Sequence, residues 1–412
     1  MKVTADRSTR PIAVIGGVYR ERCMHPHWDE VFGSAGRAAS IIARLGATVA
    51  LHTHADLVSK EVLDSRGAME GFDVHASTID RSLEFEYRHG LAAPKIYDRG
   101  DRHAPLNVRV ERAVRYGMLE AEAIVHGDRV VYDPQNAIAP TRYHENGSTA
   151  RELAIVMNRH EACVFTGLWN ATTAELATAL IAQKTAGVVV IKQGPAGALV
   201  HDGRRIQIVP AYRSRAVWKI GSGDNFGAHF AYRWLHEDRP AAESADMASR
   251  ATAYYCETRG FPSHSNLANY APTPITPSAS HIAGRQRAVY LAGPFFTLAQ
   301  LWLIEEARTC LRSMGLAVFS PYHDVGHGSA DDVVTQDLAA IDAADLIFAI
   351  GDGMDPGTVF EVGHAKAKGK PVVLYGENVS AGDQKMMLGS GCVIADDFVS
   401  AIYEAAWVAC TL

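Results

Sequence analysis

The stretch Leu346-Ile347-Phe348-Ala349-Ile350-Gly351-Asp352-Gly353-Met354-Asp355-Pro356-Gly357-Thr358-Val359-Phe360-Glu361-Val362-Gly363 sets an unbroken apolar run beside a loop of small residues. Five consecutive apolar residues without polar alternation suit a strand covered on both faces. The glycines that follow leave the backbone open to close approach. Glu361 falls where this loop is expected to enter a helix over Phe360–Lys368. The partly positive end of such a helix favours the ionised form of a carboxylate. An ionised, accessible Glu between small residues is what a carboxylate nucleophile requires.

Outward from this stretch the same alternation continues. Strands are expected at Ala288–Ala292, Leu316–Ser320 and Pro371–Tyr375, and helices at Leu298–Met314 and Asp331–Ala344, the helices before Gly315 and Gly369 ending at those glycines. Short apolar strands separated by helices specify a doubly wound α/β domain around a parallel sheet. Ligands in such sheets lie at the carboxyl ends of the strands. Gly293-Pro294, Ser320-Pro321 and Asp352–Asp355 all fall there.

At 412 residues the chain is long enough for two cores. The best boundary is the proline-spaced segment 271–287, which opens Ala-Pro-Thr-Pro-Ile-Thr-Pro and favours an extended connector. It separates a domain over 1–270 from one over 288–412. The first is also α/β. Its strands are expected at Ile12–Ile15, Thr48–His52, Val130–Asp133, Ala162–Phe165, Val188–Lys192 and Ala198–His201, and its helices at Ala35–Leu45, Ala174–Lys184 and Asp224–Leu235.

Composition excludes several classes. The content is 48% hydrophobic and 21% charged, as in a globular protein. A net charge of -6 argues against a general nucleic-acid binder, and no apolar run is long enough to span a bilayer. The polar N-terminus and six scattered cysteines without a CxxC pair point to a cytoplasmic protein with reduced thiols.

Asp337, Asp355 and Glu361 are the acids of interest in the second domain. Leu338 and Ile341, three apart, face the core and send Asp337 to one edge of its helix. Singly, each acid has an ordinary explanation: a solvated helix charge, a turn former before Pro356, an acid in a first helical turn. They form a set because they accompany Tyr290–Phe295 (Tyr-Leu-Ala-Gly-Pro-Phe) and Ser320-Pro321 at strand ends.

Together with Ala344-Asp345 and Gly369-Lys370-Pro371, these motifs resemble the nucleoside 2-deoxyribosyltransferase family and its nucleotide N-glycosidase relatives, over residues 288–376. The resemblance implies a flavodoxin-like sheet and cleavage or transfer at an N-glycosidic bond of a (deoxy)nucleoside or nucleotide. It makes Glu361 the nucleophile at C1′ and Asp337 the acid that holds the sugar or assists the base. Asp355 becomes the acid beside the base, and Tyr290 the hydroxyl that orients Glu361. Gly293, Pro294, Phe295, Ser320 and Gly357 would line the substrate, without a cofactor. A homo-oligomer is implied, with Lys385–Gly391 walling a neighbour's site. The partner is a small molecule; neither nucleic acid nor membrane is expected.

In the first domain, Gly221-Ser222-Gly223-Asp224 enters a helix, so its backbone amides form an anion cradle. Gly33-Ser34-Ala35-Gly36 precedes another helix, and Gln193-Gly194-Pro195-Ala196-Gly197 joins two strands. In this order the segments resemble the ribokinase (PfkB-type) carbohydrate kinases over 11–262. The match implies Asp224 as catalytic base, Gly221, Ser222 and Gly223 as anion hole, Gly33 and Gly36 near a sugar, and ATP with magnesium as cofactors.

There are departures. Trp218-Lys219 stands where the family has Asp-Thr, Gly16-Gly17-Val18-Tyr19 lacks the sugar-binding acid, and Asn170 with Glu175 is spaced too widely for the family's Asn-x-x-Glu magnesium element. The first domain therefore either phosphorylates a sugar or nucleoside, or only binds one. Two further readings of the whole chain stand: a kinase with a non-catalytic C-terminal nucleotide sensor, and a nucleotide-binding signalling or defence protein without turnover. His25-x-His27 and His52-x-His54 each place two imidazoles on an expected strand face, but no acid or cysteine completes a metal site; no metal is assigned. Asp133-Pro134-Gln135-Asn136 is expected to turn after a strand.

Overall fold

The computed structural model describes residues 11–98, 100, 102–135, 139–326 and 328–412. The polar N-terminus and Asn136 lie outside them. Contacts divide the chain into two units. One runs to Ser214 and includes Trp218–Pro274; the other is Ile275–Leu412 with Arg215–Val217.

Among the described residues the second unit has five parallel strands in the order Ala317–Phe319, Ala288–Ala292, Leu346–Ile350, Val372–Tyr375, Val393–Ala395. This is a flavodoxin-type order. It reverses direction between Ala288–Ala292 and Leu346–Ile350, so the crevice at their carboxyl ends is the natural ligand position. Leu346–Ile350 is buried along its whole length, as its unbroken apolar run requires. Helices Leu298–Ser313, Ala330–Ala343, Pro356–Ala367 and Phe398–Thr411 accompany the sheet.

The helix after Leu346–Ile350 starts four residues earlier than expected, at Pro356 rather than Phe360. Asp355 caps it by accepting from the Thr358 amide at 2.8 Å, and Pro356 supplies a preset first-turn φ. Glu361 consequently sits in the second turn, away from the bare helix end. A helical turn, Ala279–Ile282, also occurs inside the proline-spaced segment, where Ser278 caps it after the last proline.

The first unit contains, among the described residues, a nine-stranded sheet. Its order is Ile206–Val209, Ala198–His201, Val188–Lys192, Thr149–Asn158, Ala123–Asp133, Leu106–Tyr116, Ile12–Ile15, Val49–Ala55, Phe72–Thr78. Ala198–His201 pairs antiparallel with both Ile206–Val209 and Val188–Lys192, and the remaining pairs are parallel. A second sheet of four short strands comprises Trp28–Val31, Arg20–Cys23, Glu84–Tyr87 and Lys95–Tyr97. Residues 162–165 are helical, not a strand. Asn158 and Glu161 make a reciprocal capping box and Gly167 closes the helix in the left-handed conformation, so local caps override β-propensity. Among the described residues no helix is long and apolar enough to cross a membrane. All six cysteines are buried, and none of them forms a disulfide.

Candidate functional site

Tyr290 stands in the middle of Ala288–Ala292, next to the reversal of strand order, and is fully buried. Its ring lies near-parallel to Phe319, centroids 5.7 Å apart, which fixes the direction of the phenol. The hydroxyl donates to Glu361 Oε1 at 2.5 Å. Glu361 borders the inner stripe of its helix, formed by Thr358, Val362 and Ala365. Burial raises its pKa to about 7, the Tyr290 hydrogen bond opposes that rise, and the charges of Asp337 and Asp355 add to it. The expectation of a readily ionised Glu at a helix end is thus corrected. Glu361 lies too far along the helix and too deep for the macrodipole to prevail, and burial works against the anion. Burial, followed by the Glu361 charge, drives the Tyr290 phenol far above its ordinary range and keeps it a donor.

Asp337 is half-buried on the helix Ala330–Ala343, at the edge bordering Leu338 and the buried Ile341. Its Oδ1 is buried without a hydrogen-bond partner, and desolvation raises its pKa. Asp355 differs from the other two. Its Oδ2 accepts from both the amide and the hydroxyl of Thr358 (2.8 and 3.1 Å), so the side chain is occupied as a helix cap. Its charge still bears on Glu361.

Other expected substrate residues have structural duties. A Cβ at Gly293 would meet Ile304 Cδ1 at 2.9 Å and Ile350 Cβ at 3.1 Å, so this glycine admits core packing. Ser320 is buried; its amide donates to Asp324 and its hydroxyl pairs with His323 Nδ1 at 3.0 Å, which does not leave it open to a ligand. Phe295 faces Tyr322, ring centroids 5.4 Å apart, while Pro294 is buried and Gly357 is exposed beside Asp355. Residues 385–391 form a short helix, Lys385–Gly389, with Met386 and Leu388 exposed and Met387 buried.

In the first unit, Gly221 adopts φ 76° as the cap of helix Ser222–Ala231, and Asp224 lies in its first turn. Arg37, fully buried, donates from Nη1 to Asp224 Oδ2 at 2.7 Å and to Glu21 Oε1 at 3.1 Å, and from Nη2 to Glu21 Oε2. Gln135 donates to Asp224 Oδ1 at 2.5 Å and accepts from Ser34. Lys192 Nζ pairs with the buried Asp133 at 2.7 Å. Gly33 permits the first turn of its helix to press on backbone, since a Cβ would lie 2.5 Å from Gly17 O; Gly36 makes only ordinary contacts.

The widely spaced Asn170 and Glu175 are not brought into this cluster. Glu175 is an exposed helix-cap partner of Thr172. The Asn-x-x-Glu spacing occurs instead at Asn158-Arg159-His160-Glu161, and was legible in the sequence. Glu161 there is buried and raised to about 7, by burial first and then by Asp133. Glu120 was also missed. Its carboxyl comes to Gly17 from the loop after Leu106–Tyr116, with Oε1 3.2 Å from where a Gly17 Cβ would be, and burial raises it to about 7. No sequence signal marked it. His25 and His27 lie in a turn, not on a strand, because Arg20–Cys23 and Trp28–Val31 form a hairpin around them. His52 stacks on His75 (4.8 Å) and His54 meets Ala104 O (3.1 Å), so neither pair converges as metal ligands would.

A model of the nucleoside 2-deoxyribosyltransferase family matches residues 289–396, and a model of the pfkB family of carbohydrate kinases matches residues 121–265. The chain carries a domain of each family. Both are enzyme families. Among solved structures, the chain is similar to the Methanocaldococcus jannaschii nucleoside kinase, an archaeal member of the ribokinase family. The TM-score is 0.50 at 11% identity, covering 64% of this chain and 98% of that one. It is also similar to fructokinase from Vibrio cholerae O395, with a TM-score of 0.48 at 15% identity over 64% and 99% of the two chains. At these identities the first likeness speaks for the ribokinase-like fold of the larger unit and for nothing finer. No curated protein matches the chain.

Proposed function

We propose that the second unit cleaves or transfers the N-glycosidic bond of a (deoxy)nucleoside or nucleotide through a covalent glycosyl ester on Glu361. The observation that carries this reading is the 2.5 Å hydrogen bond from the buried Tyr290 phenol to Glu361 Oε1 at the reversal of strand order. It fixes one carboxylate oxygen and leaves Oε2 as the atom that attacks C1′. The C1′–O bond forms as the C1′–N bond breaks, and the bonding pair of that C–N bond departs with the base. With its pKa raised to about 7, Glu361 is ionised in an appreciable fraction at neutral pH and remains basic enough to be an effective nucleophile.

Asp337 suits the partner role. Desolvation favours its protonated form, and its partnerless Oδ1 is placed to serve a ligand: it protonates the leaving base or holds a sugar hydroxyl. Asp355 contributes charge and the helix cap instead of a free carboxyl. A second base or water then takes the sugar from Glu361, which regenerates the carboxylate.

The test is incubation of the full chain with a panel of nucleosides and nucleotides, read by mass spectrometry for free base. Release that falls roughly a thousandfold or more in Glu361→Gln supports the nucleophile. Equal release in wild type and variant refutes it, and ligand binding without release in either favours a protein that only binds nucleotides.

A further inference from the structure

Asp224 follows the Gly221–Gly223 turn where a phosphoryl-transfer base would stand, and its surroundings do not suit that work. Such a base must receive the proton of an acceptor hydroxyl as the new O–P bond forms and the nucleotide leaving group departs. Both oxygens of Asp224 already accept hydrogen bonds from side chains, Oδ2 from Arg37 and Oδ1 from Gln135. Its charge is met by a guanidinium with no exposed surface, which also binds the buried Glu21. That guanidinium lies directly against the anion-hole turn: a Cβ at Gly221 would fall 2.3 Å from Arg37 Cζ.

Freeing Asp224 would leave a buried cation with one partner fewer, and burial makes that costly. The neighbouring positions point the same way. Trp218 is buried against Trp28, centroids 5.3 Å apart, with the Arg259 guanidinium over its ring. Lys219 Nζ bonds Ser222 Oγ at 3.0 Å, so a lysine side chain already occupies the first residue of the helix. The residues present therefore do not fit ATP and magnesium acting through Asp224.

We infer that Arg37 converts the larger unit into one that does not transfer phosphoryl groups, and that Asp224 is a positioning residue anchoring Arg37 and Gln135. This inference is independent of the role of Glu361. The test uses the full chain and Asp224→Asn, which keeps the shape of the side chain and removes its charge. Labelled ATP with magnesium and a sugar and nucleoside panel measures transfer, and thermal melting measures the anchor. The expected result is no transfer by wild type above a protein-free control, together with a melting temperature lowered by ~5 °C or more in the variant, or a failure to fold. Transfer by wild type above that control overturns the inference. So does an unchanged melting temperature in the variant.

Discussion

Replacing Tyr290 by Phe removes one oxygen from the second unit and leaves a ring of the same shape in the same packing. The phenol donates at 2.5 Å to Glu361, and that bond counteracts the rise in the Glu361 pKa that burial imposes. A hydrogen bond to a charged acceptor is worth ~1.5–3 kcal/mol, and 1.36 kcal/mol corresponds to one pH unit. In the variant, the midpoint at which base release rises with pH therefore moves upward by about one to two pH units. At pH 6 release falls by roughly 10- to 100-fold, and by pH 9, where Glu361 is again ionised, the deficit shrinks to a few-fold. The assay is initial-rate base release across pH 5–9 for both proteins, with melting curves to verify that Phe preserves the fold. A Tyr290→Phe profile that is merely scaled down at every pH, with an unmoved midpoint, refutes the coupling between phenol and carboxylate.

Three further outcomes follow from the same geometry. Glu361 has a folded pKa (about 7) above its ordinary 4.5, so its presence weakens the fold progressively as pH rises from near 4.5 through 7. Glu361→Gln should accordingly melt higher than wild type at pH 8 and nearly level with it at pH 4.5; a constant difference across that window contradicts the burial argument. Asp355→Ala should lose the cap, at ~1 kcal/mol, whereas Asp355→Asn keeps it, so denaturant midpoints separate Ala from the other two proteins. Equal midpoints for all three would mean that the bonds to Thr358 contribute nothing. Gly293→Ala places a methyl group 2.9 Å from Ile304 Cδ1 and should destabilise by ~1–3 kcal/mol, read as a lower urea midpoint; wild-type stability would show that the site has room.

The second unit was legible because its signals are local. Leu346–Ile350 is buried on both faces and apolar throughout, and Leu298–Ser313 ends just before Gly315, so run length and punctuation located most of the elements expected up to Tyr375 to within a residue or two. The first unit was less legible where local signals competed. Ala162–Phe165 is apolar enough for a strand, and the reciprocal Asn158–Glu161 cap and the closing Gly167 mark it as helix. The start of the Pro356–Ala367 helix was misplaced because glycine, aspartate and proline signal a turn and a helix N-terminus alike.

By itself the sequence singled out the candidate residues: Tyr290, Asp337, Asp355 and Glu361 come from ordered motifs in the matched family segment, and Asp224 from a glycine turn. Only the tertiary structure decided what state those groups are in. Residue type sets an intrinsic acidity, but burial, a phenol from a strand 71 residues away and two neighbouring carboxylates set that of Glu361. Asp224 is met by a guanidinium from Arg37, 187 residues earlier in the chain. Desolvation and Coulomb energies depend on distances in space, and no local pattern along the chain records them.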